Sequence, residues 1–426
     1  MLKIIPSKNR AAMARWLKAR TGSLESAEPA VCRIVEDVRR HGDRAVIRLT
    51  KKFDRVDLRR EGFTVGAREI RQAYRDIPRD FIQSIRMAAR HIRNVARRQL
   101  PREWRMETAA GVKVRQIVRP LERVACYVPG GRFPLPSTVL MSVIPAQVAG
   151  VREVFVTSPR PAPAVLVAAD ILGVTKIFRL GGAQAIAAFA YGTGSVPRAD
   201  KIVGPGNRYV AAAKKLVAQD CGIDFVAGPT ELVVVGSRGR PEWIAADLVA
   251  QAEHDPDATV LFITPSQKLA TEVQTATGNL LKQLQLPVAE DALARQGAII
   301  LTKDISEAIT LANAFAPEHL TLLEGATGFL DQIQSAGSIF LGGHSAVAAG
   351  DYASGTNHIL PTNGMARLRG GLSAADFVKT ISVQELDRRG LSRLRKTMVC
   401  MAGTEGLRAH AHSVEARFGA DRGEAR

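Results

Sequence analysis

From Val114 onward the chain alternates short apolar runs with segments of helical spacing, and this alternation limits the fold more than any other feature of the sequence. Val124 to Val128 reads as a buried strand stopped by Pro129-Gly130-Gly131, and a helix then starts near Ser137 with Val139, Leu140 and Val143 on its apolar side and Val148 beyond Pro145. Val154 to Thr157, Lys176 to Arg179, Lys201 to Val203 and Leu232 to Val235 follow as strands with helices between them. The rhythm returns at Thr259 to Ile263, Gly297 to Leu301, His319 to Leu323 and Ser338 to Leu341. Such spacing predicts parallel βαβ units, hence an α/β fold of two incomplete Rossmann-like domains with the active site at strand ends facing the cleft between them. No residue-level repeat relates the two runs. By texture, residues 1–118 form a helical N-terminal region, 119–235 the first α/β domain, 236–372 the second, and 373–426 a helical tail.

Within the N-terminal region, Ser26-Ala-Glu-Pro29 offers an N-cap before a helix carrying Val31, Ile34, Val35 and Val38 on one side and ending near Gly42. Between Pro78 and Pro101, the positions Phe81, Ile82, Ile85, Met87, Ala88, Ile92 and Val95 mark a long helix whose other face is basic and reads as solvated. A formal charge of +18 admits an anionic partner, either nucleic acid or a phosphate-bearing cofactor. Arginine is spread over the whole chain, aromatics are 5%, and neither an RNA-binding aromatic signature nor zinc-finger spacing occurs. A dispersed basic surface fits better than specific nucleic-acid binding, which remains the rival reading from another class of protein. Cys32, Cys126, Cys221 and Cys400 are far apart with no CxxC pair, which points to a reducing cytoplasm rather than a disulfide framework. Met1 to Pro6 is too short an apolar run for a signal peptide, and no uncharged apolar run has membrane-spanning length. Gly419 to Arg426 reads as a disordered end.

Several polar stretches interrupt this apolar framework. Gln251 to His254 closes a helix starting at Pro241, and three-residue spacing would put Gln251 and His254 on one face, half of a metal site or simply a polar helix end. Gly204-Pro-Gly-Asn207 and Leu180-Gly-Gly-Ala-Gln184 lie at strand-to-helix turns where backbone amides could meet a pyrophosphate. Neither matches GxGxxG followed by an acid about twenty residues on, the standard dinucleotide fingerprint. Glu318 and His319 are neighbours behind Pro317, and both can serve one site only if the backbone turns there. Gly350 to Pro361 concentrates Asp351, Ser354, Thr356, Asn357 and His358 in a stretch with few core residues, suited to a polar ligand or to a plain turn. In the tail, His410 and His412 cannot both face the same way on a helix, so at most one of them is a ligand.

Together these stretches resemble the histidinol dehydrogenase family. The resemblance rests on Tyr127-Val-Pro-Gly-Gly with Pro134 to Met141, on Gly204 to Asn207, Ala227 to Glu231, Gln251 to His254, Ala316 to Leu320 and Gly350 to Pro361, and it runs from the first helices to His410. It implies an NAD-dependent, zinc-dependent, four-electron oxidation of L-histidinol to L-histidine through histidinal, the last steps of histidine biosynthesis. It also implies an intertwined cytoplasmic homodimer whose active site is shared between subunits and holds one zinc ion per subunit.

Position by position, Gln251, His254 and Asp351 would ligate zinc and His410 would complete the set from the other subunit. The first α/β domain becomes the NAD side, with Tyr127, Gln184 and Asn207 touching NAD+, and the second the metal and acid–base side. Glu318 and His319 would be the catalytic acid–base pair. Thr230, His358 and, from the partner chain, Glu405 would join Gln251, His254, His319, Asp351 and His410 around the substrate. Asp247, one turn before Gln251, is a candidate support for that ligand. Thr230 departs from the family's Ser by one methyl, which bears on substrate fit alone. Cys126 reads as a buried inert thiol rather than an aldehyde-trapping nucleophile. Within the family's wider kin, an enzyme for another polar alcohol such as a sulfonated diol should lack ligands that are all present here.

Overall fold

The structure, a computed structural model, describes residues 2–9, 11, 25–130 and 134–419; Gly131 and the stretch beyond Gly419 lie outside the described residues. The chain divides into two compact units, one built from Met1–Gln99 and Leu121–Phe377, the other from Leu100–Pro120 and Val378–Arg426.

The larger unit is an α/β assembly with two all-parallel sheets. In one, five strands run in the order Ile177–Phe178, Glu153–Thr157, Arg123–Tyr127, Lys201–Val203, Gly222–Ile223. The other has six, in the order Lys3–Pro6, Gly297–Leu301, Thr259–Thr264, Glu231–Val235, His319–Leu322, Ser338–Leu341. Both are parallel because helices connect successive strands and bury both sheet faces, which is why these strands read as unbroken apolar runs. Strand geometry sends alternate side chains to opposite faces. Ala125 and Tyr127 accordingly join Phe155, Phe178 and Phe189 in one core, whereas Val124 and Cys126 join Leu140, Met141 and Ile144 in another. In the second sheet Leu232 and Val234 pack on one side, Val233 and Val235 on the other. Each such buried side chain contributes about 1.5–3 kcal/mol, so each sheet is clamped on both faces.

The helices largely follow the sequence pattern. The first apolar stripe forms Glu28–His41, with Gly42 at its C-cap, and the long basic one forms Arg79–Gln99. Ser26 is not the cap: Ala27 holds that place and makes no side-chain cap bond, and Pro29 sits in the first turn that Glu28 starts. Lys3–Pro6, read as a short apolar run, pairs with Gly297–Leu301 as an edge strand.

In the smaller unit an antiparallel sheet orders Val378–Leu386, Val112–Pro120 and Trp104–Ala109, and the helices Arg388–Thr404 and Arg408–Gly419 follow. The reading of residues up to 118 as helices with little strand, and of the tail as helical, missed this sheet. Trp104, Met106, Ile381 and Leu386 stay exposed on it, so its strands lack the buried run that marks the others. Among the described residues of this unit, Val112 and Ala402 are the buried apolar side chains. No described helix is long and apolar enough to cross a membrane.

Candidate active site

The backbone does turn ahead of Glu318, at Ala316. Helix Ile305–Phe315 ends on Ala316, which takes a left-handed conformation at φ 52° although it is not glycine, a strain of about 1–2 kcal/mol. The strand His319–Leu322 starts three residues later, so Glu318 escapes the alternation that would turn it away from its neighbour. Its Oε2 lies 3.6 Å from His319 Nδ1. The acid–base pair thus sits at the amino end of its strand, beside the amino end of Glu231–Val235, whereas open α/β sheets ordinarily place ligands at carboxyl ends.

A chain of hydrogen bonds fixes the pair. Thr230 Oγ1 donates to Glu318 Oε2 at 2.6 Å and the Glu231 N–H donates to the same oxygen at 2.9 Å. Gln251 Nε2 donates in turn to Thr230 Oγ1. That bond uses the amide nitrogen of Gln251 and leaves its carbonyl oxygen as the acceptor available to a cation. His319 Nδ1–H donates to the Glu231 carbonyl at 3.1 Å, which fixes the tautomer and turns Nε2 toward Asp351 Oδ1, 3.8 Å away. Glu231, which sequence reasoning passed over, accepts the N–H of Glu318 at 3.3 Å and of Asn363 at 3.0 Å, tying both segments to its strand. His358 reaches across to the other sheet's helix: its Nε2 accepts from Thr138 Oγ1 at 3.3 Å while its Nδ1–H donates to the Asp351 carbonyl at 2.9 Å.

Charge in this cluster is strongly perturbed. Burial alone would lower the His319 imidazole, but the Glu318 and Asp351 carboxylates outweigh it and raise the ring to about 10. Burial works against the Asp351 carboxylate, yet the His319 bond and the nearby His358 and His254 rings hold it below the usual range. His358 is pushed down, chiefly by burial.

The helix of Gln251 spans Pro241–Ala252, so Gln251 lies in its last turn and His254 lies beyond it, exposed, with its N–H bonded to the Gln251 carbonyl at 3.4 Å. The single-helix face expected for the two is therefore a helix end plus a turn. Asp247 does not brace Gln251: it accepts the Val347 N–H at the start of Val347–Tyr352, the short helix that carries Asp351, and burial raises it to about 6. In the smaller unit, Glu405 caps the end of Arg388–Thr404 and His410 lies in Arg408–Gly419, both exposed. Among the described residues no cluster of three or more His, Cys, Asp or Glu forms a ready metal site. The oxygen and nitrogen donors of Gln251, His254 and Asp351 nevertheless fit a divalent ion such as zinc, with the set left open for a further ligand.

At the carboxyl ends of the five-stranded sheet a cavity of about 560 Å³ is lined by Phe53, Asp54, Tyr127, Gln184, Asn207 and Tyr209 among others. It gathers the three residues expected to touch NAD+, and its place by the first strand, where the connections change direction, suits a dinucleotide. Tyr127 Oη accepts the Gly182 N–H at 3.1 Å, and burial lifts its hydroxyl to about 12. The amides expected to meet a pyrophosphate after Gly204 are taken, because Asn207 Oδ1 accepts from Tyr209 and Val210 N–H as an N-cap. Gly204 itself has φ +117°, and a Cβ there would fall 2.1 Å from the Tyr127 carbonyl. A buried ion pair grips it from both sides: Asp224 Oδ2 accepts its N–H at 2.8 Å and Lys214 Nζ donates to its carbonyl at 2.7 Å. Cys126 is fully buried and its thiol is pushed up to about 12, so it supplies no thiolate.

Parallel sheets covered on both faces, with an acid–base pair at the strand starts of one and a cavity with a few polar groups at the strand ends of the other, are the layout of an α/β enzyme. A family profile described as histidinol dehydrogenase matches residues 17–418. The chain is 46% identical over 397 residues to the histidinol dehydrogenase of Methanothermobacter thermautotrophicus, covering 91% of this chain and 92% of that one. It is 44% identical over 396 residues to that of Aquifex aeolicus, covering 92% and 93%. The crystal structure of histidinol dehydrogenase from Elizabethkingia anophelis superposes with a TM-score of 0.93 at 37% identity, covering 98% of each chain. This chain belongs to the histidinol dehydrogenase family.

Proposed function

We propose that the chain oxidises L-histidinol to L-histidine through histidinal, using NAD+ and one zinc ion per subunit. The observation that carries this reading is the convergence of Glu318, His319 and Asp351 with the Gln251–Thr230 relay at two neighbouring strand starts. When bound, zinc would supply a fixed positive charge that grips the substrate's imidazole and amine, held by Gln251, His254, Asp351 and the partner's His410, and NAD+ would supply the hydride acceptor. His319, which its carboxylate neighbours hold protonated at rest, must first give up its Nε2 proton; with Nδ1–H tied to Glu231 it then takes the alcohol proton at Nε2 as the hydride leaves and the carbinol becomes an aldehyde. Glu318 then takes a proton from water adding to that aldehyde, and the hydrate loses a second hydride and a proton to give the carboxylate. Thr230 and the Glu231 amide keep the Glu318 carboxylate aimed through both steps. The methyl that Thr230 adds to a serine leaves this hydroxyl bond in place.

A homodimer with a shared site is part of the same reading. The smaller unit exposes Trp104, Met106, Ile381, Leu386, Met401 and Leu407 and buries almost no apolar side chain, so a second copy is the natural cover for it. The tail, residues 373–426, would then bring Glu405 and His410 to the partner's substrate site, with the five-stranded sheet holding NAD+ and the six-stranded sheet, to which Glu231–Val235 belongs although the sequence reading ends the first α/β domain at 235, holding metal and base. The free cysteines agree with a cytoplasmic enzyme.

Stripping divalent metal with a chelator is expected to abolish NAD+ reduction by histidinol, and returning zinc to restore it. Turnover indifferent to the chelator would rule out the metal's part in the site.

A further inference from the structure

The cofactor cavity contains an acid that no sequence motif announced. Standard dinucleotide folds place a carboxylate about twenty residues beyond the glycine turn to bind the adenosine ribose hydroxyls; the acids at that distance here, Asp200 and Asp224, are engaged elsewhere, Asp200 accepting the Glu122 and Arg123 amides and Asp224 paired with Lys214 under Gly204. Asp54 enters the cavity from outside the sheet as the last residue of helix Asp43–Asp54. Its Oδ2 accepts from Gln184 Nε2 at 2.9 Å, and Arg160 donates to its backbone carbonyl. Phe53 beside it is half exposed and lines the same cavity, a flat apolar surface suited to a base.

Resting on the NAD+ reading of this cavity, we infer that Asp54 is the specificity residue that selects the unphosphorylated dinucleotide, binding a ribose hydroxyl and repelling a 2′-phosphate. Selection of this kind works through an unfavourable contact with the wrong ligand as much as through a favourable one with the right ligand. Arg160 sharpens the effect: Asp54 offsets its guanidinium, and with the carboxylate gone that cation would be left to attract a phosphate.

The test needs no turnover. Equilibrium dialysis of NAD+ and NADP+ against the full chain, Asp54→Asn and Asp54→Asn with Arg160→Ala measures selectivity directly. The wild-type chain is expected to bind NAD+ more than tenfold tighter than NADP+. Asp54→Asn should shrink that ratio at least tenfold, and the added Arg160→Ala should remove the gain in NADP+ binding. A wild-type chain that binds no NAD+ would overturn the cofactor reading together with this one. Normal NAD+ binding with an unchanged ratio in Asp54→Asn would overturn this inference alone.

Melting curves show whether the variant folds. Burial raises Asp54 from 3.8 to about 6, against the pull of Arg160 and the Gln184 bond and with Tyr127 close by. An acid raised on folding is disfavoured once ionised, so its cost is present above its folded value and absent below its unfolded one. Asp54→Asn should therefore melt above the wild type at alkaline pH and level with it in strong acid.

Discussion

Asparagine in place of His319 is expected to slow the first oxidation by about a hundred- to ten-thousand-fold, the range for loss of a positioned general base. The amide of Asn can still donate to the Glu231 carbonyl, so the strand start keeps its shape, but nothing at that position can take the alcohol proton. Glutamine at Glu318 should do the reverse. It keeps an oxygen for the Thr230 hydroxyl and the Glu231 amide, leaves alcohol oxidation largely intact, and starves the aldehyde of activated water. Single-turnover reactions begun with histidinol and with histidinal separate the two steps. Equal losses in both steps from either change would show that the division of labour is wrong.

Lys214→Met should have the largest effect on the fold itself. The Lys214 and Asp224 side chains are 3% and 1% exposed, and removing one partner strands a buried charge at a cost of about 3–5 kcal/mol. The midpoint of denaturant unfolding should fall accordingly, and NAD+ binding should weaken because Gly204 loses the cation that holds its carbonyl. Adding Asp224→Asn, which can still accept the Gly204 N–H, should recover much of the stability. A midpoint unmoved by Lys214→Met would mean that the pair does not clamp the turn.

Lys214 and Asp224 also show where the sequence stops being informative. Most strands of both parallel sheets could be read ahead of the structure, since strands buried on two faces are apolar throughout, as in Glu231–Val235 and Thr259–Thr264, but sequence order assigns Glu231–Val235 to the first α/β domain whereas it pairs within the six-stranded sheet. A lysine on a helix and an aspartate in a loop look like solvated charges, and only the fold reveals that they close on one peptide. Glu231 was hidden in the same way, as a carboxylate whose work is to hold two backbone amides. The sheet of Trp104–Ala109, Val112–Pro120 and Val378–Leu386 escaped because its strands bury little within one chain and the third comes from a distant segment. The pair Glu318–His319 was visible as a dipeptide, but its reach to one site depended on Ala316 adopting a backbone state that a non-glycine residue seldom takes.

The count of reduced nicotinamides formed per histidinol consumed, with NAD+ in excess, tests the four-electron oxidation most directly. A site in which His319 and Glu318 serve successive oxidations of a retained aldehyde predicts two, with little histidinal free in solution. One equivalent, with the aldehyde released, would contradict it.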